Sequence, residues 1–64
     1  MIFHADSDKS YSCGPYRIYL TIMGWQAWNY SRGHSLLAKD VRLPVAMEAC
    51  EQDARKVEEA KHDV

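Results

Sequence analysis

The sequence predicts a small α+β domain: an antiparallel sheet of two to three strands with one C-terminal amphipathic helix packed on one face. Hydrophobic residues alternate with a period of two between residues 16 and 42, as in β-strands, and recur at spacings of three, four and seven from residue 44 onwards, as in a helix. The length of 64 residues allows a single domain, whose core is near the lower size limit for folding unaided. A second copy is therefore an expected source of stability, and we keep a homodimer among the expected partners.

The first 15 residues are predicted to form an arm or loop before the sheet. They mix polar residues with the turn-forming pair Gly14-Pro15 and show no sustained hydrophobic period. They also lack a positively charged region followed by an apolar segment, and the chain has no apolar run of about 18 residues. We therefore expect a cytoplasmic protein with no membrane partner.

The strands of the sheet are predicted within residues 16–42. The alternation that begins at Tyr16 is broken at Met23-Gly24. This break leaves two alternatives open, either two strands over 16–22 and 25–30 or one long bulged strand.

The alternation also predicts which residues of these strands face the core. In the first strand, the expected core residues are Tyr16, Ile18, Leu20 and Ile22. The third strand, over residues 35–42, has the least regular alternation. Its Lys39 favours an edge position, because lysine discourages pairing with other chains.

The helix is predicted over residues 44–63. Pro44 is tolerated in the first turn of a helix and disfavours helical structure in the residue before it. The apolar stripe expected to face the sheet comprises Ala46, Met47, Cys50, Ala54, Val57 and Val64. Because this stripe is rich in small residues, we expect the helix to approach the sheet closely.

Charge is divided unevenly along the chain, whose net charge is −1. Residues 1–43 carry five basic and three acidic side chains, whereas residues 44–64 carry three basic and six acidic ones. Neither part has the dense positive field of a dedicated nucleic-acid binder, which argues against nucleic acid as the main partner. Nucleic-acid binding is kept as an alternative because four basic residues lie among the aromatic ones: Arg17, Arg32, Lys39 and Arg42.

No group of residues has the type and spacing of a known catalytic, metal or nucleotide site. The segment Cys13-Gly14-Pro15-Tyr16 is similar to the CxxC box of thioredoxin-like proteins, but tyrosine replaces the second cysteine and a strand pattern follows. None of the three histidines has the tight spacing with cysteine or carboxylate that a structural zinc site uses. We therefore expect no enzyme activity, no cofactor and no bound metal.

The two cysteines are interpreted as structural. Cys50 lies on the apolar stripe of the predicted helix, where a free cysteine behaves as a small buried hydrophobic residue. A disulfide between Cys13 and Cys50 would close a long loop and stabilise so small a domain, but a reducing cytoplasm argues against it.

Large aromatic side chains are too numerous for a core of this size to bury all of them. A regular strand over residues 25–30 would place Trp25 and Trp28 on opposite faces, so at least one is expected on the face away from the helix. An exposed tryptophan beside tyrosine and arginine is typical of an interaction hot spot. The competing interpretation packs both tryptophans into the main core or a dimer core.

The outward carboxylates of the helix, to which we also assign Asp53, are a second candidate feature. They are either the solvated face that a soluble helix requires or a charged surface that fits a basic groove on a partner. With the aromatic residues, they complete the predicted partner-binding set: Trp25, Trp28, Tyr30, Arg32, Glu48, Glu51, Glu58 and Glu59.

The segment from Tyr16 to Lys56, with its GWQAW strand, LLAKDV strand and PVAMEACEQDARK helix, resembles the short accessory proteins of phages and prophages. A short chain with an aromatic sheet, an acidic helix and no catalytic motif is also similar to anti-CRISPR proteins and other phage inhibitors of host defence. The resemblance implies a non-enzymatic protein-binding module that acts in the host cytoplasm and blocks a functional surface of a host defence complex, such as a CRISPR effector. It transfers no functional residue.

Two other functions stay open at this point. One is a small dimeric nucleic-acid-binding accessory protein that uses a basic aromatic face of the sheet. The other is a structural module whose aromatic strand builds only a homodimer.

Overall fold

In the residues that the structure describes, the protein has a five-stranded antiparallel sheet and one helix. The computed structural model describes the backbone of residues 1–31 and 33–62 and the side chains of residues 1–31 and 33–56. The elements are β1 (His4–Ser7), β2 (Ser10–Cys13), β3 (Tyr16–Thr21), β4 (Gly24–Asn29), β5 (Ser35–Val41) and α1 (Leu43–His62). The strands follow one another across the sheet in chain order, so that each pairs with the next. The predicted α+β class is confirmed.

The predicted number of strands was wrong, because residues 1–15 contain β1 and β2 instead of an arm or loop. Each of these strands has four residues and is mostly polar, so neither shows the hydrophobic alternation that identifies a strand. They form because β2 pairs with β3 over its full length and β1 pairs with β2. Gly14-Pro15 is the turn between β2 and β3, and Gly14 has the positive φ of 57° that a glycine adopts easily.

The break at Met23-Gly24 is a tight hairpin between two separate strands. Thr21 pairs with Gly24, which leaves Ile22-Met23 as the turn. The Thr21 hydroxyl donates to the Gly24 carbonyl at 2.9 Å and accepts from the Met23 N–H at 3.2 Å. Leu20 pairs with Trp25 and so lies on the predicted face, but it is 38% exposed, and Ile22 is in the turn and fully exposed. The expectation that both belong to the core was therefore wrong.

Strand β5 lies at the edge of the sheet, as Lys39 predicted. Its register against β4 shifts twice, once on each side of the pair Ala27 and Ala38. At the shift next to Trp28, Leu37 and Ala38 both oppose Ala27, and both pack against the core. These bulges explain why the alternation of this strand was the least regular in the sequence.

The core lies between α1 and the central strands. Helix α1 contacts β5, β4 and β3, and it buries Ile18 and Ala27 under Ala46 and Cys50. Four small or medium-sized side chains with no exposed surface confirm the predicted close approach of the helix. Met47 and Ala54 of the predicted stripe pack at the border of the core. The side chain of Val57 is outside the described side chains, and Val64 and the predicted helix end at residue 63 are outside the described residues.

One carboxylate holds the helix to the two central strands. The Tyr16 hydroxyl donates to Asp53 Oδ2 at 3.0 Å, and Asn29 Nδ2 donates to the same oxygen at 2.7 Å. Burial, and then the hydrogen bond to Asp53, raise the pKa of Tyr16 to about 12. Asp53 therefore faces the sheet, and its assignment to the outward face of the helix was wrong.

Gly24 is expected to tolerate no side chain. Its φ is 134°, and a Cβ atom would lie 3.0 Å from the Asp40 carbonyl carbon of β5. We therefore expect Gly24→Ala to lower the free energy of unfolding by about 3 kcal/mol, measured by urea denaturation. Gly14→Ala is the matched control, because Gly14 also has a positive φ but nothing lies within 4 Å of its Cβ position; it should cost about 1 kcal/mol. Equal losses in the two variants would contradict the contact with Asp40.

Alkaline pH is expected to destabilise the fold through Tyr16. Between the ordinary tyrosine pKa of about 10 and the folded value of about 12, only the unfolded chain loses the proton, so stability falls as the pH rises. Relative to Tyr16→Phe, the unaltered chain should lose up to about 3 kcal/mol between about pH 9 and about pH 12. Urea denaturation of both chains across this range measures the difference, and contributions shared by both, such as that of Cys50, cancel. If the difference in free energy of unfolding between the unaltered chain and Tyr16→Phe does not change with pH, the prediction is contradicted.

Candidate interaction surface

The sheet has one face that no described strand or helix covers, which we call the open face. Register places one row of side chains across all five strands of this face, in the order His4, Ser12, Arg17, Trp28 and Leu36. A second row on the same face contains Ser10, Tyr19 and Gln26. The opposite face, whose central row contains Ile18 and Ala27, carries the helix.

Four ring-bearing side chains form an aromatic cluster on the open face: Tyr19, Trp28, Tyr30 and His34. The rings of Trp28 and Tyr30 have centroids 6.3 Å apart and an interplanar angle of 27°. The His34 ring meets Tyr30 edge-on at 4.6 Å. Burial, and then a hydrogen bond to Tyr30, raise the pKa of Tyr19, so the Tyr19 hydroxyl stays protonated at neutral pH.

Apolar and aromatic surface on this face is accessible. Tyr19 is 38% exposed, Tyr30 is 37% exposed and Leu36, beside Trp28 on the edge strand, is 44% exposed. Trp28 is half-buried, and its ring is stacked beside that of Tyr30. Large rings held in place by neighbours lose little conformational freedom on binding, which favours them as interface anchors.

The polar groups of the open face mostly bond to one another or to the backbone. Arg17 Nη1 donates to the carbonyls of Gly14 at 2.9 Å and Tyr16 at 3.1 Å. The Ser12 hydroxyl donates to Asp6 Oδ1 at 3.2 Å, and Trp28 Nε1 donates to Gln26 Oε1 at 3.3 Å. Arg17 and Asp6 carry opposite charges, so this part of the face is close to neutral.

Both edges of the sheet are protected against pairing with another strand. A register irregularity between Ala5 and Ser7 distorts β1, where Asp6 adds a charge. Two register shifts distort β5, which carries Lys39 and Asp40, the latter with a positive φ of 57°. Bulges and charges at edge strands oppose edge-to-edge association. The open face is therefore the larger accessible surface that the sheet offers to a partner.

The structure divides the predicted partner-binding set between two sides of the molecule. Trp28 and Tyr30 lie on the open face, and Trp25 lies on the helix side, where its ring packs against Tyr11 at 5.7 Å. The two tryptophans are thus on opposite faces, as predicted. Glu48 and Glu51 lie on the helix and do not belong to the open face. Arg32 is outside the described residues. The side chains of Glu58 and Glu59 are outside the described side chains.

The open-face residues that the predicted set lacked include Arg17, Tyr19, His34 and Leu36. The alternation in β3 already places Arg17 and Tyr19 opposite to the core residues, and this signal could have identified both. The parity of β5 likewise places Leu36 opposite to Leu37 and Val41, so the same signal could have identified it. His34 joins the cluster through its contact with Tyr30, which follows from the loop conformation.

The comparisons assign the chain to no group: no known protein family, curated protein or solved structure matches it. Its surface must therefore be interpreted from physical chemistry.

Within the described residues, no three side chains of His, Cys, Asp or Glu are grouped so that they could hold a metal ion, and no helix is both long and apolar enough to cross a membrane. Both cysteines are unpaired. Burial, and then the charge of Asp53, raise the pKa of the Cys50 thiol to about 11, which keeps it protonated and poorly nucleophilic at neutral pH.

Proposed function

We propose that the protein is a non-enzymatic protein-binding module that inhibits its target by covering a functional surface. The open face, with the aromatic cluster and Leu36, is the surface that binds. The target is a host protein complex, such as a CRISPR effector, and the inhibitor acts by steric occupation. The observation that carries this proposal is an exposed, nearly neutral aromatic face on a domain whose helix covers only the other face.

The size of the open face fits a protein partner. Five strands at the usual spacing span about 24 Å, and six-residue strands are about 20 Å long, so the face measures roughly 450 Å² in projection. Because side chains project unevenly from the sheet, the accessible area of the face is larger than this projected area. It approaches the ~800 Å² that each partner contributes to a standard protein interface. A small molecule would leave most of this face exposed.

The composition of the face also favours a protein target. Tryptophan, tyrosine and arginine are the residues most enriched at hot spots, and such residues act best near the centre of an interface. Arg17 has this central place on β3, with Trp28 on the neighbouring strand and Leu36 beyond it on β5. The choice of a host defence complex as the target follows from the resemblance to phage inhibitors.

A second candidate is a nucleic-acid-binding accessory protein that uses the same face. It is favoured by the aromatic cluster, on which bases could stack, and by the guanidinium of Arg17. Two observations weigh against it. The Arg17 Nη1 atom is already bonded to two backbone carbonyls, and Asp6 places a negative charge on the same face. A phosphate backbone requires a more positive surface.

The proposal predicts that substitutions on the open face abolish inhibition. Trp28→Ala and Tyr30→Ala should each weaken target binding at least about thirtyfold, because a hot-spot side chain contributes about 2 kcal/mol. Met23→Ala is the matched control, since it also shortens an exposed apolar side chain but lies at the hairpin turn. The measurement is protection of phage or plasmid DNA in a host with active CRISPR defence, with urea denaturation to confirm that each variant folds.

Capture of partners with the tagged chain from nuclease-treated and untreated host lysate separates the two candidates. Recovery of one defence complex after nuclease treatment, lost in Trp28→Ala and kept in Met23→Ala, agrees with the proposal. Full inhibition by both open-face variants would rule it out. Recovery that disappears with nuclease would favour the nucleic-acid alternative instead.

A further inference from the structure

The hydrophobic core is small even for a domain of this length. Among the side chains that the structure describes, five hydrophobic ones are buried, and the largest with no exposed surface are Ile18 and Cys50. Small domains often supplement such a core with a disulfide, a metal or association. Both cysteines are unpaired, and no metal-binding group occurs among the described residues. Association with another chain would add burial to this core.

The accessible surface is also larger than a monomer of this mass usually has. The folded chain exposes 4792 Å², whereas a folded monomer of 7.4 kDa typically exposes about 4,200 Å². The excess of about 600 Å² is comparable with the ~800 Å² that one subunit buries in a standard interface. This excess belongs to the whole chain; the open face is the part of the described surface that no element covers.

The open face is suited to packing against its own copy. In a two-fold dimer each surface meets an identical one, so a face with a large net charge would repel itself. Here Arg17 and Asp6 offset each other, and the remaining described residues of the two rows are uncharged or histidine. Because bulges protect both sheet edges, two copies would meet face to face, with their sheets about 10 Å apart, and not edge to edge.

We infer that, in the absence of the target, the open face is covered by the open face of a second copy. The protein is then a homodimer with Trp28 and Leu36 in the interface and one helix on each outer side. The inference rests on the proposed use of this face for binding, but not on the identity of the target. It has one consequence for the proposed function: the target must displace the second copy, so that the complex contains one chain for each binding site.

Sedimentation equilibrium of the full chain, from micromolar to near-millimolar concentration, tests the inference. The apparent mass should rise from 7.4 kDa toward about 15 kDa. Leu36→Glu should weaken the dimer at least about tenfold, because it places a carboxylate in the interface. Ile22→Glu is the matched control: it makes the same kind of exchange at the hairpin turn, where the side chain is fully exposed, and should leave the dimer unchanged.

A second measurement does not depend on the stability of an open-face variant. The chain has two tryptophans, so Trp25→Phe leaves Trp28 as the only one, and its emission maximum should shift to shorter wavelength as the chain dimerises and water leaves the open face. The inference is overturned by a chain that is monomeric throughout the series. It is also overturned by a dimer that Ile22→Glu weakens and Leu36→Glu does not, or by a dimer that forms without a shift in emission.

These outcomes are separable from those of the inhibition assay. A monomeric chain that still inhibits through Trp28 would overturn the dimer and leave the proposed function in place. A dimer weakened by Leu36→Glu, in a chain that protects no target DNA, would overturn the proposed function and support the dimer.

Discussion

A five-stranded sheet has two faces, and the described part of this chain contains one helix to cover them. Helix α1 contacts β3, β4 and β5 on one face, and the other face has no described element packed against it. The remaining features of the molecule depend on this imbalance. The core is confined to the space under one helix, where small residues leave little volume for large side chains. The rings that do not fit there lie at its border or on the open face, which is why Trp25 and Trp28 have such different surroundings.

The position of the helix depends on a polar contact within an otherwise apolar contact region. A carboxylate that faces the sheet loses hydration, and this loss is offset only if hydrogen bonds replace it. Asp53 accepts two, from Tyr16 on β3 and Asn29 on β4. Because both donors lie on central strands, this contact fixes the helix over the middle and the β5 side of the sheet. It also removes Asp53 from the acidic surface that the sequence pattern had assigned to the helix exterior.

The sequence predicted the elements that hydrophobic periodicity controls. These are the helix, the three strands β3 to β5 and the placement of the two tryptophans on opposite faces, because each depends on which side chains face a core. It did not predict β1 and β2, whose backbone pairing stabilises them with few apolar side chains. The inward direction of Asp53 was also missed, since helical spacing alone cannot distinguish a hydrogen-bonded carboxylate from a solvated one. The two bulges of β5 were not predicted either, because register is set by pairing; their one-residue shifts cancel, so that Leu36 stays on the face opposite to that of Val41.

The hydrogen bonding of the open face indicates how readily it can be covered. Burying a polar group is costly when its partner is water, because the hydrogen bond to water is lost. On this face Arg17 Nη1, Ser12 and Trp28 already donate to groups of the chain itself, so these three donors keep their hydrogen bonds when the face is covered. Their bonds lower the cost of desolvation, and the apolar gain from the rings and Leu36 is about 25 cal/mol for each Å² buried. A flat, complementary protein surface therefore binds the open face favourably. Selectivity among such surfaces must come from shape around Trp28 more than from charge.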